Sequence, residues 1–228
     1  MVEARTLGEA WLQVTSAILE HGAPATWGPL ATVELARLTL VVGRPDPGDP
    51  VIAEHGDPEW LAWMRANFGE HDDVAELGGA RSYAARLFDY DGRDQVAWVV
   101  ERLRADPAAR DAAITTFMPL SDTTYVPCVS LLDFWLPDGA LELVVYAHSL
   151  DFGKKAYGNL VELARLQHHV AAELTVPVGR LVVHVKLAHV YESERDLVTR
   201  LAASGRTSDV DDVLPSADMP RRADVPTL

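Results

Sequence analysis

The chain has one cysteine in 228 residues, Cys128. A single thiol forms no internal disulfide, which points to a cytoplasmic protein in which Cys128 is either a small buried filler or a nucleophile. Long apolar runs are missing as well. None approaches the length needed to cross a bilayer, and the opening Met1-Val2-Glu3-Ala4-Arg5 lacks the layout of a signal peptide, so no membrane partner is expected. Positive charge is scarce: 20 Lys and Arg stand against 34 Asp and Glu, a formal charge of −14. That balance would repel a phosphate backbone and argues against nucleic acid, although a small anion can still bind locally. No segment repeats at a fixed period.

What is plentiful is apolar surface, 48% of residues, enough for the core of one domain. That domain is expected over residues 1–203. The tail, 204–228, is rich in Asp, Ser, Pro and Arg and is expected to be loop-like or disordered. Hydrophobic spacing predicts helices over 7–20, 58–67, 93–105 (with Asp91 or Asp94 as its start) and 156–174. Strands are predicted at 32–42, 112–118, 129–136, 140–147 and 180–191. The turn Pro137-Asp138-Gly139 makes 129–147 a hairpin. This order predicts an α+β fold, a large twisted mixed sheet covered by helices. Trp60 and Trp63, at helical spacing with Leu61 and Met64, read as core or interface residues.

Polar groups recur where this scaffold would present them. Cys128 follows Pro127 at the start of a strand, and His148-Ser149-Leu150-Asp151 comes just past the second hairpin strand. Asn159 sits in the first turns of an apolar helix, where its amide needs partners. The last strand ends in His189-Val190-Tyr191, whose first and third residues face the same way. The order Pro-Cys, Ser-x-Asp, Asn eight residues beyond that Asp, and His-x-Tyr resembles the thymidylate synthase and pyrimidine hydroxymethylase family. Asp94-Gln95 and the run from Leu103 to Arg110 resemble that family's helix and arginine loop. The likeness covers about residues 80–195.

The resemblance implies a thymidylate synthase-like fold and a homodimer whose sheets stack back to back. It also implies transfer of a methyl or hydroxymethyl unit from 5,10-methylenetetrahydrofolate to C5 of a pyrimidine nucleotide or nucleoside, with no metal. Cys128 would add to C6, since a thiolate is well able to add and later leave. Asn159, with a donor and an acceptor on one amide, would match a uracil edge, where a carboxylate would suit cytosine. His189 and Tyr191 would reach the sugar hydroxyl, Asp151 would join the folate-side polar network, and Arg110, His148 and Ser149 would hold the anion. Glu59, the candidate catalytic carboxylate, or Asp57 would supply the folate-side acid, and neither matches the family in both residue type and spacing. Glu59 stands four residues before Trp63, while Asp57 stands three before Trp60, the family's spacing.

The departures are specific. His148 stands where the family has an arginine before the serine, and Asp111 where a second partner-supplied arginine would follow Arg110. Residues 22–28 contain no basic side chain. Charged hydrogen bonds contribute about 1.5–3 kcal/mol each, so the phosphate cradle would be weakened unless His148, Lys154, Lys155 and Arg110 rebuild it. An open site without a closing tail would favour hydroxymethylation over methylation. The alternative is a homodimeric binding or assembly protein that keeps the fold without the reaction.

Overall fold

The structure is a computed structural model and describes residues 1–70, 72–123 and 125–204. In chain order it contains β1 (Val2–Ala4), α1 (Leu7–His21), β2 (Ala23–Trp27), β3 (Leu30–Val42), α2 (Pro50–His55), α3 (Pro58–Gly69), β4 (Asp73–Val74), β5 (Ala80–Arg81), α4 (Tyr83–Phe88) and α5 (Gln95–Ala105). Then follow β6 (Ala113–Thr115), β7 (Val129–Trp135), β8 (Leu141–Ala147), β9 (Leu150–Asp151), α6 (Ala156–Leu174), β10 (Val178–Tyr191) and α7 (Arg195–Ser204). Ser204 closes α7, and the rest of the expected tail lies outside the described residues.

One eight-stranded mixed sheet carries the fold, in the order β1-β3-β10-β8-β7-β6, with β2 added on β3 and β9 on β10. β10 runs antiparallel to β3 and parallel to β8, and β7 is antiparallel to both β8 and β6. The predicted α+β architecture is therefore the observed one. Period-two alternation forms the strands: Leu141, Leu143, Val145 and Ala147 of β8 are all buried, as are Leu181, Val183 and Val185 of β10. The hairpin turn is made at Asp138 and Gly139, both at positive φ, a conformation that Gly and Asp tolerate best.

α1 and α6 touch each other and lie against β3, β8 and β10. α1 contributes Leu7, Trp11, Val14 and Ile18 to the core, and Trp11 Nε1 donates to Phe152 O at 2.9 Å. α6 is buried from Ala156 to Ala164. Gln167 on this helix, fully buried, spreads one amide over the carbonyls of Leu141, Gly179 and Arg180 at 2.8–3.2 Å, tying α6 to the starts of β8 and β10. Elsewhere on the sheet Leu131 faces Tyr146 across the β7–β8 pair, and both are exposed, as is Trp135.

The regular alternation breaks along one line across the sheet. Buried residues in β10 run Leu181, Val183, Val185 and then Ala188, Val190, a slip of one. β3 slips in the same row: Leu38 pairs with Val185 and Ala36 with Leu187, and Arg37 between them has φ 58°. β8 stops at Ala147 opposite Val185, and β9 resumes at Leu150 opposite Ala188. β7 shifts register between Val129 and Leu131. Such irregularities re-aim side chains. Cys128, His148, Ser149, Asp151, His189 and Tyr191 all lie on this line or just beyond it.

Several elements differ from the sequence reading. The helix expected from 93 starts at Gln95, with Asp94 rather than Asp91 capping it by accepting from Ala97 N at 2.8 Å. The strand expected over 112–118 is only Ala113–Thr115, although Thr116 N still donates to Ser130 O at 3.2 Å. β1, β2, α2, α4 and α7 had no prior signal.

Candidate functional site

Cys128 is held from both sides by backbone. Its carbonyl accepts from His148 N at 3.0 Å, and the next amide, Val129 N, donates to Tyr83 Oη at 3.0 Å. Tyr83 is buried on α4 and stacks on Phe68 with ring centroids 4.5 Å apart. The loop before Cys128 is clamped by Arg86, whose guanidinium is 2% exposed. It donates to both carboxylate oxygens of Asp122 at 2.7 and 2.8 Å and to Thr116 O at 2.8 Å. Asp122 in turn accepts from Met118 N at 2.7 Å. Bidentate geometry of this kind fixes a loop as well as neutralising the charge.

The Cys128 thiol is half-buried against the core. Burial pushes its pKa up; Lys155 and a hydrogen bond from Tyr125 pull it down, and Asp151 pushes it up again. Tyr125 itself is pushed well up by burial and by the nearby thiol.

Asp151 ends β9 and begins the turn into α6. Its Oδ1 accepts from Gly153 N at 3.0 Å and Lys154 N at 3.2 Å, and its carbonyl accepts from Lys155 N at 3.0 Å. Burial nevertheless raises its pKa. The Lys155 carbonyl accepts from Asn159 N at 3.0 Å, so Asp151, Lys155 and Asn159 form one backbone-linked unit. Asn159 is buried, with Nδ2 3.3 Å from Met64 Sδ of α3, a weak acceptor. On β10, His189 Nδ1 lies 3.2 Å from Ser149 Oγ, and its ring meets Tyr191 edge-on at 5.2 Å. Burial lowers the His189 pKa, against the pull of Glu34 and Glu194. Tyr191 is pushed up to about 12 by burial, then by Asp151, Glu194 and Cys128.

The remaining residues stand elsewhere. His148 Nδ1 is 3.2 Å from Ser130 Oγ, and the ring lines a cavity of about 550 Å³ with Thr115, Phe117, Val126, Tyr146 and Lys186. Burial and Lys186 hold its pKa down. Lys154 is ion-paired to Glu194, and Lys155 lies over Trp60 and Trp63. The histidine and the two lysines thus do not share one cradle. Arg110 is exposed before β6 and makes no hydrogen bond or ion pair among the described residues. Asp111 does not point inward: its carboxylate is 2.8 Å from Arg102 on α5. Asp57 is spent as the cap of α3, accepting from Glu59 N at 2.8 Å, and Glu59 is exposed on the first turn of that helix.

Sequence reading missed Tyr83, Tyr125 and the buried Glu194, and gave Lys155 to the anion cradle rather than to the Trp60–Trp63 face. Glu194 sits against Gly153, where any Cβ would collide with its carboxylate; burial and Asp151 raise its pKa, and Lys154 lowers it. An acid in a polar stretch reads as surface, so only the glycine signalled a close approach.

The thymidylate synthase family model matches residues 50–209. A provisionally named thymidylate synthase of Methanosarcina barkeri is 29% identical over 210 residues, covering 88% of this chain and 94% of its own. That of Methanopyrus kandleri is 32% identical over 203 residues, 85% of this chain and 94% of its own. Deoxyuridylate hydroxymethyltransferase of Bacillus phage SP01 is 31% identical over 157 residues, 62% of this chain and 41% of its own. With a model matched over most of its length and relatives aligned almost end to end, the chain belongs to the thymidylate synthase family.

Proposed function

We propose that the protein transfers a one-carbon unit to C5 of a pyrimidine nucleotide through a covalent adduct at C6. The observation that carries this reading is that a half-buried thiol, a half-buried carboxylate and a His–Tyr pair lie along one line of the sheet, with the buried amide of Asn159 linked to that carboxylate's residue through the first turn of α6. The Cys128 thiolate adds to C6, forming a C–S bond while the ring's electron pair moves toward C5 and O4. Asn159 is the group whose N–H meets the charge developing on O4 and whose carbonyl meets the ring N–H. C5 then carries the nucleophilic electron pair, takes the one-carbon unit and loses its proton; the carrier's amine would leave that carbon, water would add to it in the hydroxymethyl outcome or a hydride from the carrier in the methyl outcome, and departure of the sulfur restores the ring. His189 and Tyr191 bind the sugar. Ser149, bridged to His189, keeps that imidazole oriented.

Two features fit 5,10-methylenetetrahydrofolate as co-substrate. Trp60 and Trp63 present aromatic surface next to Lys155, suited to a planar ring, and Asp151 has a second carboxylate oxygen besides the one that bonds Gly153 and Lys154. When bound, the folate supplies the one-carbon unit. Glu59, on the same helix as both tryptophans, is the candidate for a carboxylate on that side.

A second copy packing on the exposed Leu131, Tyr146 and Trp135 would give the homodimer. In that assembly Arg110, which has no hydrogen bond or ion pair among the described residues, would serve the partner's anion site beside His148. The test is release of tritium from 5-tritiated deoxyuridylate, deoxycytidylate and their nucleosides, with and without methylenetetrahydrofolate, with product mass separating methyl from hydroxymethyl. Release from a nucleotide that Cys128→Ser abolishes supports the reading. No release from any of them, with pyrimidine still bound, would leave a binding or assembly protein.

A further inference from the structure

His148 turns away from its neighbours in the site. β8 closes at Ala147 opposite Val185 and β9 resumes at Leu150 opposite Ala188, so His148 and Ser149 run beside Lys186 and Leu187. Ser149 turns to His189, whereas His148 turns to Ser130. There it lines the cavity of about 550 Å³ together with Lys186 from β10, Tyr146 from β8 and Ser130 from β7. Lys186 Nζ, His148 Nε2 and Tyr146 Oη have no hydrogen-bond or ion-pair partner among the described residues, so three unused polar heads share one space. The chain holds 34 Asp and Glu, yet none lines this cavity. In a protein whose net charge repels anions, an acid-free pocket with a lysine in its wall is where one can still gather.

We propose that this cavity binds a phosphate monoester, with Lys186 as its cation and Tyr146 and His148 as the flanking donors. The space is larger than a bare anion needs, and Phe117 and Val126 give it an apolar wall, so the ligand is the ester of an organic group. Lys186 meets the phosphate as a point charge that can approach from several directions. His148 completes the site by taking up a proton when the dianion arrives. Without the anion, burial and the Lys186 charge favour the neutral imidazole; a dianion between the two groups offsets that repulsion. The groups around His148 are Lys186 from β10, Tyr146 from β8, Ser130 from β7 and Thr115 from β6, with no carboxylate among them. The backbone amide of His148 donates to the Cys128 carbonyl at 3.0 Å, which sets the rim of the cavity against the residue of the proposed nucleophile. The inference rests on the proposed function only in that the substrate's own phosphate is the ester which that reaction supplies.

The test is calorimetric titration of the full chain with deoxyuridylate, deoxyuridine and ribose 5-phosphate at pH 7. Lys186→Met should weaken the two phosphate esters alike, each by about tenfold, the effect of one lost charged hydrogen bond, and leave deoxyuridine unchanged. Lys186→Arg should keep most of the affinity, and Lys155→Met, which removes the cation on the Trp60–Trp63 face, should spare both esters. Lys186 is exposed, so its variants should fold, which circular dichroism checks; Tyr146→Phe, which loses one donor, should weaken both esters by a smaller factor. Proton NMR of the His148 ring should show either ester raising its pKa. Ester affinities that Lys186→Met leaves unchanged, or that fall equally in Lys155→Met, would overturn the inference. Ribose 5-phosphate binding that depends on Lys186, in a protein that binds deoxyuridylate no better than deoxyuridine, would keep the cavity as a site for a different phosphate ester and remove the nucleotide from the proposed reaction.

Discussion

Asp122→Ala should cost more stability than any surface change of similar size. In the native protein the Asp122 side chain is 7% exposed and the Arg86 side chain 2%. Removing the carboxylate leaves a guanidinium buried with only carbonyl partners, Thr116 O and Arg81 O. It also strands Met118 N. Breaking a buried pair in this way costs about 3–5 kcal/mol, and for a domain of this size about 2–4 °C of Tm per kcal/mol, so a fall of roughly 10 °C is expected. The pH dependence has a definite sign. Burial pushes the Asp122 carboxyl up, but the hydrogen bonds from Arg86 and Met118 and the Arg86 charge outweigh it, and the native pKa lies below the ordinary carboxylate value. Its contribution is therefore complete above about pH 4 and lost as pH falls through the lower native value. Thermal and urea melts of wild type, Asp122→Ala, Arg86→Met and the double variant measure it. The double variant should recover part of the loss, since no charge is then left unpaired. A loss under about 1 kcal/mol in Asp122→Ala, or additive losses in the double variant, would refute the clamp.

Other outcomes follow from single groups. Asn159→Asp should exchange preference for uracil-type ligands for cytosine-type ones, as buried sites reject ligands that leave polar groups unpaired; unchanged discrimination in binding titrations would remove Asn159 from base reading. If His148 holds phosphate it must gain a proton that burial and Lys186 now disfavour, so nucleotide affinity should fall between pH 6 and 8 and the matched nucleoside's should not. His148→Arg should abolish that slope, and equal binding of nucleoside and nucleotide at both pH values would end the phosphate assignment. Gly153→Ala should displace Glu194 from beside Lys154 and Asp151, costing about 1–3 kcal/mol in a melt; a neutral substitution would show that the turn relaxes freely.

The parts of the fold legible in the sequence are those set by local pattern. Alternation in β8 and β10, the Pro137-Asp138-Gly139 turn and the apolar spacing of α6 each specify an element without outside help. The polar residues at the ends of those elements were equally visible, because Cys128, Ser149, Asp151, Asn159, His189 and Tyr191 stand in ordered motifs. What stayed hidden depends on distant partners. α4 is six residues long and is held by the burial of Arg86 and Tyr83, neither of which marks a short helix. The line of strand irregularities through Arg37 has no sequence period of its own. Glu194 is a charged residue buried away from bulk water, and its type predicts the opposite. His148 shows the converse limit: its place beside Ser149 was legible, but not its turn toward Ser130 and Lys186.

The central claim is that Cys128 bonds to C6 of a pyrimidine, and trapping that bond tests it most directly. A nucleotide carrying fluorine in place of the C5 hydrogen can accept the thiolate but cannot complete the loss of a proton from C5, so the C–S bond should persist when the co-substrate is present. Intact-mass and peptide mapping after incubation with 5-fluorodeoxyuridylate and methylenetetrahydrofolate should place one added nucleotide on the peptide containing Cys128 and none on the Cys128→Ser protein. A protein that binds the nucleotide yet carries no added mass, or carries it on a peptide without Cys128, would contradict the account.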